Sequence, residues 1–278
     1  LQSANQVRVA LEEAGHRTEI FDPADTPLAE IAWSQFDVCF VALHGADADG
    51  RVQRRLNLLK VPYTGSGPDA CRLAASKSAS KERFRQAGLR TPDYMLFDAD
   101  CAIGEIQSKC EPLPLPWIIQ ADSQGASTGA GLVKSADELP AAIRDLRQFD
   151  EFLLAVRFVP GRRLIVTLID REPLGIVEIL DSNNGRPEYH TPLCLNDATR
   201  TSIEQAALAA AESIATRGLA SVSLVLDQRN QPWALDLDAT PNLAKHGVVA
   251  QTLPQSGMTM VALCDRLVRD CLPAGSPS

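Results

Sequence analysis

The chain has 278 residues, of which 45% are hydrophobic and 22% charged, with a formal net charge of -8 at pH 7. That is enough apolar material for one large domain or two to three packed subdomains. The acidic balance argues against a nucleic-acid partner or a membrane surface, and no apolar run approaches the roughly 18 residues that span a bilayer. The seven cysteines are odd in number and form no Cys-x-x-Cys, so the expectation is neither a disulfide framework nor a zinc site but a reduced, cytoplasmic protein.

In chain order, the first predicted element is a helix over residues 3–14. Ser3 is its expected N-cap, Val7, Val9 (or Ala10), Leu11 and Ala14 its inner face, and Gly15 its stop. Glu12 and Glu13 interrupt any signal-peptide core. Since doubly wound folds usually open on a strand, a first strand and its Gly-rich turn are expected to be missing ahead of this helix. Strands are predicted at 17–21 and 37–43, the second apolar enough for a buried parallel strand. A helix over 52–60, a turn at 63–67 and helical residues 69–87 ended by Gly88 and Pro92 complete an alternating α/β pattern, which predicts a parallel sheet.

Residues 98–115 are polar and Pro-rich and read as a connection. Strands follow at 117–120 and 132–134, joined by the Gly/Ser loop Gly125-Ala126-Ser127-Thr128-Gly129. Ser135 is the expected cap of a helix over 137–147, and 152–158 is a third strand. This is the pattern of a small α+β module able to lie as a lid over a ligand. Strands near 163–170 and 174–180, a loop at 181–201, a helix at 202–217 stopped by Gly218, strands at 219–227 and 232–237 around the Asp227–Gln231 turn, and a helix near 258–272 finish the chain. The expected division is 1–92, 93–160 and 161–278.

Several stretches, in order, resemble the D-alanine–D-alanine ligases of the ATP-grasp superfamily. His44-Gly45, Asp49-Gly50 and Gln53 are similar to the family's first-module loop, and Tyr63-Thr64-Gly65-Ser66 to its turn. Lys77 and Lys81 fall where the family has its Asp-Lys and second Lys, with Ser76 replacing the Asp; Phe158-Val159-Pro160-Gly161-Arg162 is nearly the family's Phe-Ile-Pro-Gly-Arg. The resemblance implies an α/β ATP-grasp fold: a parallel-sheet N-terminal module, a small α+β lid and a C-terminal α+β module. It implies ATP-driven joining of a carboxylate to an amine through an acyl phosphate, in making peptidoglycan precursors. ATP and Mg²⁺ would be the cofactors, D-alanine or a related amino acid the substrate, and a homodimer the assembly.

By the same resemblance Lys77, Gln120, Gly125, Ser127 and Gly129 would bind the nucleotide, Asp236 and Asp238 the metal, and His44 would lie on the substrate side. Glycine lets backbone N–H groups approach phosphate oxygens, and two carboxylates alternating onto one strand face suit Mg²⁺. Other positions depart from the family. The expected Lys-Pro is Gln120-Ala121, the first loop serine is Ala126, and acids facing adenine and ribose are Val156, Arg157, Arg163 and Ile165. No Lys-Tyr pair occurs in 181–190; Arg-x-Asp is Ser221-Val222-Ser223 and Glu-x-Asn is Asp236-Leu237-Asp238. Arginine cannot accept a hydrogen bond, and each electrostatic group lost is worth about 10²–10³ in rate. Weakened or lost ligase activity is therefore the expectation. A non-catalytic homologue acting as a binding or regulatory module, and a divergent ATP-grasp ligase for another substrate, stand beside it.

Overall fold

The computed structural model describes residues 2–123, 131–180, 188–191 and 194–272, without the side chains of Ala46 and Asp47. Helix α1 (Gln2–Glu13) buries Ser3, Val7, Ala10 and Leu11, one stripe at helical spacing. Ser3 is not its N-cap but lies inside it, where its hydroxyl donates to Asn242 Oδ1 at 2.9 Å. Of the two inner-face candidates, Ala10 turns inward and Val9 is exposed.

The predicted strands at 17–21 and 37–43 form no ladder among the described residues. A single parallel bridge joins Cys39 to Tyr63. Cys39 N–H donates to Pro62 O and Thr64 N–H to Cys39 O, but the next donor, Val41 N–H, goes to the Thr64 hydroxyl. The chain then turns through Gly65 at φ +89°, and the parallel pairing stops after one step. Helix α2 (Arg51–Leu59) follows Gly50, whose φ is +90° and where a Cβ would lie 2.3 Å from Pro68 O, so only glycine fits. The expected helix at 69–87 is two, α3 (Pro68–Ala75) and α4 (Lys77–Gln86). They break at Ser76, whose extended backbone lets its hydroxyl accept from Ala79 N–H at 3.2 Å.

A four-stranded antiparallel sheet has the order β1-β4-β2-β3, with β1 Tyr94–Asp98, β2 Trp117–Ala121, β3 Gly131–Val133 and β4 Phe152–Arg157. The 98–115 stretch is not plain connection: β1 ends in it and α5 (Ile103–Cys110) fills its middle, burying only Ile106 and Cys110. The helix predicted at 137–147 begins as a 3-10 turn at Ala136–Glu138, and α6 proper is Leu139–Leu146. Ser135 makes no side-chain cap there. Phe97, Ile119, Val133 and Leu153 pack on α5 and α6. The opposite face keeps Leu96, Leu132 and Phe152 exposed.

The larger sheet is also antiparallel. Its order is β7-β6-β5-β8-β9, with β5 Gly161–Ile169, β6 Glu172–Leu180, β7 Glu188–His190, β8 Leu219–Asp227 and β9 Pro232–Asp238. Alternation sends Leu164, Val166, Leu168, Val222, Leu224 and Leu226 to one face, where they pack with Phe84 of α4 and Ile203, Ala207 and Ala210 of α7 (Asp197–Ile214). Ile165, Ile169, Val177 and Leu219 go to the other face, against α1, α8 (Val248–Ser256) and α9 (Met260–Arg269). Cover on both faces explains the near-continuous apolar runs in β5 and β8. Helix α7 starts earlier than its pattern, capped by Asn196 Oδ1 accepting from Thr199 N–H at 2.8 Å, and it stops at Ala215 in the left-handed region rather than at Gly218. Helix α8, which the sequence did not suggest, is short and contains Pro254.

The retained Pro-Gly-Arg motif does structural work. A Cβ at Gly161 would lie 2.2 Å from Leu226 O, so glycine is what lets β5 close on β8. Arg162 grips Glu178 across β5 and β6 in two bonds, Nε–Oε1 at 2.9 Å and Nη2–Oε2 at 2.6 Å. The guanidinium holds the Glu178 carboxyl below its ordinary value. Because the folded-state pKa is depressed, this stabilisation is present above the unfolded pKa and is lost as pH falls through the folded one. Glu178→Gln is expected to cost about 1–2 kcal/mol at neutral pH, with the gap to the parent closing as denaturation midpoints are followed to pH values below the ordinary carboxylate range. All seven cysteines are free thiols. Among the described residues no helix is long and apolar enough to cross a membrane.

Candidate functional site

The first turn of α4 is where the two sheets are tied together. Asp122, just past β2, accepts from Ser76 Oγ and Ser78 N–H through its carboxylate, both at 2.8 Å. Its carbonyl accepts from Lys77 N–H at 3.0 Å and Lys77 Nζ at 3.4 Å. Lys77 is buried as a result. One turn on, Lys81 is 1% exposed and donates to Leu235 O at 2.7 Å.

That carbonyl is available because of a bulge. Ser223 pairs with Asp236 but Leu224 pairs with Ala234, which leaves Leu235 as the extra residue of β9. Burial pushes the Lys81 ammonium down to about 8, against the pull of Asp236. Asp236 is half-buried, and its Oδ1 accepts from Leu237 N–H at 2.9 Å. Desolvation raises its pKa, with the charges of Lys77 and Lys81 pulling it back.

Asp236 and Asp238 share a face of β9, opposite Ser223 and Ser221 respectively. Asp238 is exposed but crowded by protein, and desolvation pushes it up too, against a bond from Thr240 N–H at 2.9 Å. No group of three or more His, Cys, Asp or Glu among the described residues is arranged to hold a metal. Two carboxylates still fit Mg²⁺, which takes one or two from protein and the rest of its oxygens from phosphates and water.

Gln120 lies half-buried in β2, opposite Leu154 and two residues before Asp122. It is thus on the strand face that Asp122 turns to α4. Gly125, Ser127 and Gly129 lie outside the described residues. His44 is exposed at the end of the 37–43 segment. With Ser3, Thr64 and Thr240 it lines a cavity of about 30 Å³, room for about one water. It is near enough for its charge to act on Asp238. Lys77, Gln120, Asp236, Asp238 and His44 thus come to one side of the larger sheet or its junction with the smaller one. Tyr189 packs on the second core, and His190 sits 3.5 Å from Glu188 in β7.

The sequence reading missed Asp122 and the junction of Arg157 with Trp233. The Arg157 guanidinium, ending β4, lies over the Trp233 ring at 5.1 Å. Nothing local pairs residue 76 with 122 or 157 with 233, because each contact depends on how the two sheets meet. Asp122→Ala removes the acceptor for two N-terminal α4 donors and is expected to lower stability by about 1–2 kcal/mol; an unchanged urea midpoint would show that the junction does not depend on it.

Residues 84–269 match the family model for the D-ala D-ala ligase C-terminus. The chain is 32% identical over 271 residues to a D-alanine–D-alanine ligase of Nitrosomonas eutropha, covering 93% of this chain and 87% of that protein. It is 30% identical over 285 residues to one from Bordetella petrii, covering 97% and 86%. Its fold is similar to the D-alanine–D-alanine ligase of Bacillus anthracis crystallised with ATP, at a TM-score of 0.83 and 20% identity over 97% of this chain and 90% of that one. The VanG D-Ala:D-Ser ligase of Enterococcus faecalis is also similar, at 0.76 and 20% over 84% and 72%. The fold is ATP-grasp, and the chain belongs to the D-alanine–D-alanine ligase family.

Proposed function

We propose that the chain is an ATP- and Mg²⁺-dependent carboxylate–amine ligase of the D-alanine–D-alanine type, running well below the rate of a ligase with the full set of charged groups. The observation that carries this is the cluster of Lys77, Lys81 and Asp236. Desolvating two ammonium groups and a carboxylate is costly; the bonds of Lys77 to Asp122 O and of Lys81 to Leu235 O offset part of that cost, and an anionic ligand would offset more of it.

Lys77, at the start of α4, would offer its charge to phosphate oxygens. Asp236 and Asp238 would hold Mg²⁺, whose chemistry when bound is to neutralise charge on the transferring phosphoryl group. A D-alanine carboxylate oxygen would displace ADP from the γ-phosphorus. The amine of a second amino acid would then attack the acyl carbon and release phosphate. Phosphoryl transfer depends mainly on positioning and charge stabilisation. Gln120, Ser221 and Ser223 stand where the family has two cations and a metal carboxylate, so the rate falls while the binding frame remains.

The test is thermal unfolding with ATP and Mg²⁺, followed by an ADP-release assay with D-alanine. Nucleotide at 100 times its Kd should stabilise by about 2.7 kcal/mol. Absence of any shift would overturn the reading. A shift without D-alanine-dependent ADP release would keep the nucleotide site and remove D-alanine as substrate.

A further inference from the structure

The first turn of α4 takes its anion from the other sheet. A helix leaves its first N–H groups without partners of their own. Here Ala79 N–H is met locally by Ser76 Oγ. Lys77 N–H and Ser78 N–H are both met by Asp122, the first through its carbonyl at 3.0 Å and the second through Oδ1 at 2.8 Å. Asp122 Oδ2 accepts from Ser76 Oγ at 2.8 Å. Where the family has an acid at 76, this chain has a serine whose hydroxyl reaches a carboxylate 46 residues away.

The same strand end is fastened on its other side. Asp122 N–H donates to Phe152 O at 3.0 Å. Ser123 donates through both its N–H and its hydroxyl to Asp150 Oδ2, each at 2.6 Å. Tyr94 of β1 adds a bond from its hydroxyl to Ser78 O at 3.1 Å. The end of β2 is therefore held between β4 and α4, and a shift in either direction breaks bonds.

Two of the nucleotide-facing residues meet across this clasp. Gln120 stands on β2, two residues before Asp122, and Lys77 opens α4. Lys77 Nζ donates to Asp122 O at 3.4 Å, so its ammonium is placed by the residue that also fixes its helix. With glutamine where the family has a lysine at 120, Lys77 carries charge that the family divides between two side chains. Its placement counts for more, since misplacing such a group by about 1 Å can cost about 10²-fold. We infer that Asp122 is a positioning residue for Lys77: its carboxylate, accepting from Ser76 and Ser78, locks the first turn of α4 to the end of β2 and so sets Lys77 and Gln120 relative to each other for phosphate. This rests on the proposed nucleotide site.

The sign of the effect separates positioning from charge. The Asp122 carboxylate is near enough for its charge to act on Asp236. By charge alone it repels a nucleotide's phosphates, and removing it would tighten ATP binding. By positioning, removing it loosens Lys77 and weakens binding. The probe is ATP with Mg²⁺, titrated calorimetrically into the full chain, with amide hydrogen exchange at Ser78 followed in the empty protein. Asp122→Asn keeps the shape of the side chain and removes its charge. It is expected to weaken ATP binding about tenfold and to speed exchange at Ser78. Ser76→Ala removes the other end of the same bond and is expected to act in the same direction. The double variant Ser76→Asp, Asp122→Ser exchanges donor and acceptor between the two elements at constant net charge, and is expected to return the affinity to within about threefold of the parent. Should Asp122→Asn fail to fold, Ser76→Ala and the double variant carry the same comparison. The inference is overturned, and the nucleotide site stands, if ATP binds the single variants as tightly as the parent or more tightly, or if the double variant binds no better than they do. If the parent itself binds no ATP, the nucleotide site fails and takes the inference with it.

Discussion

Asp236→Asn is expected to cut D-alanine-dependent ADP release by about 10²–10³-fold and to remove most of the ATP–Mg²⁺ thermal shift, while leaving the unliganded fold within about 1 kcal/mol of the parent. The opposing terms can be weighed. Asn keeps the side-chain oxygen that accepts from Leu237 N–H. It removes a carboxylate whose pKa desolvation has raised. A raised acid pKa means the folded chain holds that proton more tightly than the unfolded chain, so above the raised pKa the ionised group works against folding. Against this gain, Lys77 and Lys81 lose a counter-charge. The two changes nearly offset in the empty protein. With ATP and Mg²⁺ present they do not, because an amide ligates Mg²⁺ poorly beside a carboxylate. Calorimetric unfolding with and without nucleotide separates the cases. An unchanged ATP–Mg²⁺ shift in the variant would mean that Asp236 is not a metal ligand.

How much of this was legible beforehand depends on the range of the interactions. The strands of the larger sheet were readable because their apolar runs are set by cover on both faces, as in Leu164–Ile169 and Leu219–Leu226. Helix α1 was readable from one stripe, although the stripe alone did not decide between Val9 and Ala10. Helix α5 was not, since it buries only Ile106 and Cys110 inside a polar, Pro-rich stretch. The parallel N-terminal sheet failed because pairing is a property of two segments, and Thr64 diverts the donor that would extend it.

At the site, sequence order located Asp236 and Asp238 on one strand face, a consequence of period-two geometry. It could not supply Asp122 beneath α4, the bulge that aims Leu235 O at Lys81, or the stacking of Arg157 on Trp233. Those depend on how separate elements meet. The retained Pro-Gly-Arg motif shows the converse. Its survival reads as chemistry in the sequence, but Gly161 and Arg162 are explained by a strand approach and an ion pair to Glu178.

The double variant Ser221→Arg, Ser223→Asp is expected to raise D-alanine-dependent ADP release by about 10²-fold or more. The register makes this a controlled change. Residue 223 pairs with Asp236 and residue 221 with Asp238, so the new acid meets the central carboxylate and the new guanidinium meets the outer one. A third oxygen ligand strengthens Mg²⁺ binding, and the arginine supplies positive charge where the phosphoryl group carries negative charge in transit. Without metal the new Asp faces Asp236 directly, and a like-charge cross-strand pair costs roughly 0.2–1 kcal/mol. The variant should therefore unfold slightly earlier than the parent in chelator and later in Mg²⁺–ATP, a reversal that neither a general loss of fold nor a general stabilisation would produce. Ser221 is buried and Ser223 half-buried, so the arginine must reach outward past Asp238. Ser223→Asp alone is the control that isolates the metal ligand. If both variants fold and bind ATP–Mg²⁺ but neither gains turnover with D-alanine, the missing charges are not what limits the rate, and the amino-acid side of the site, around His44 and Thr240, becomes the place where this chain parts from its relatives.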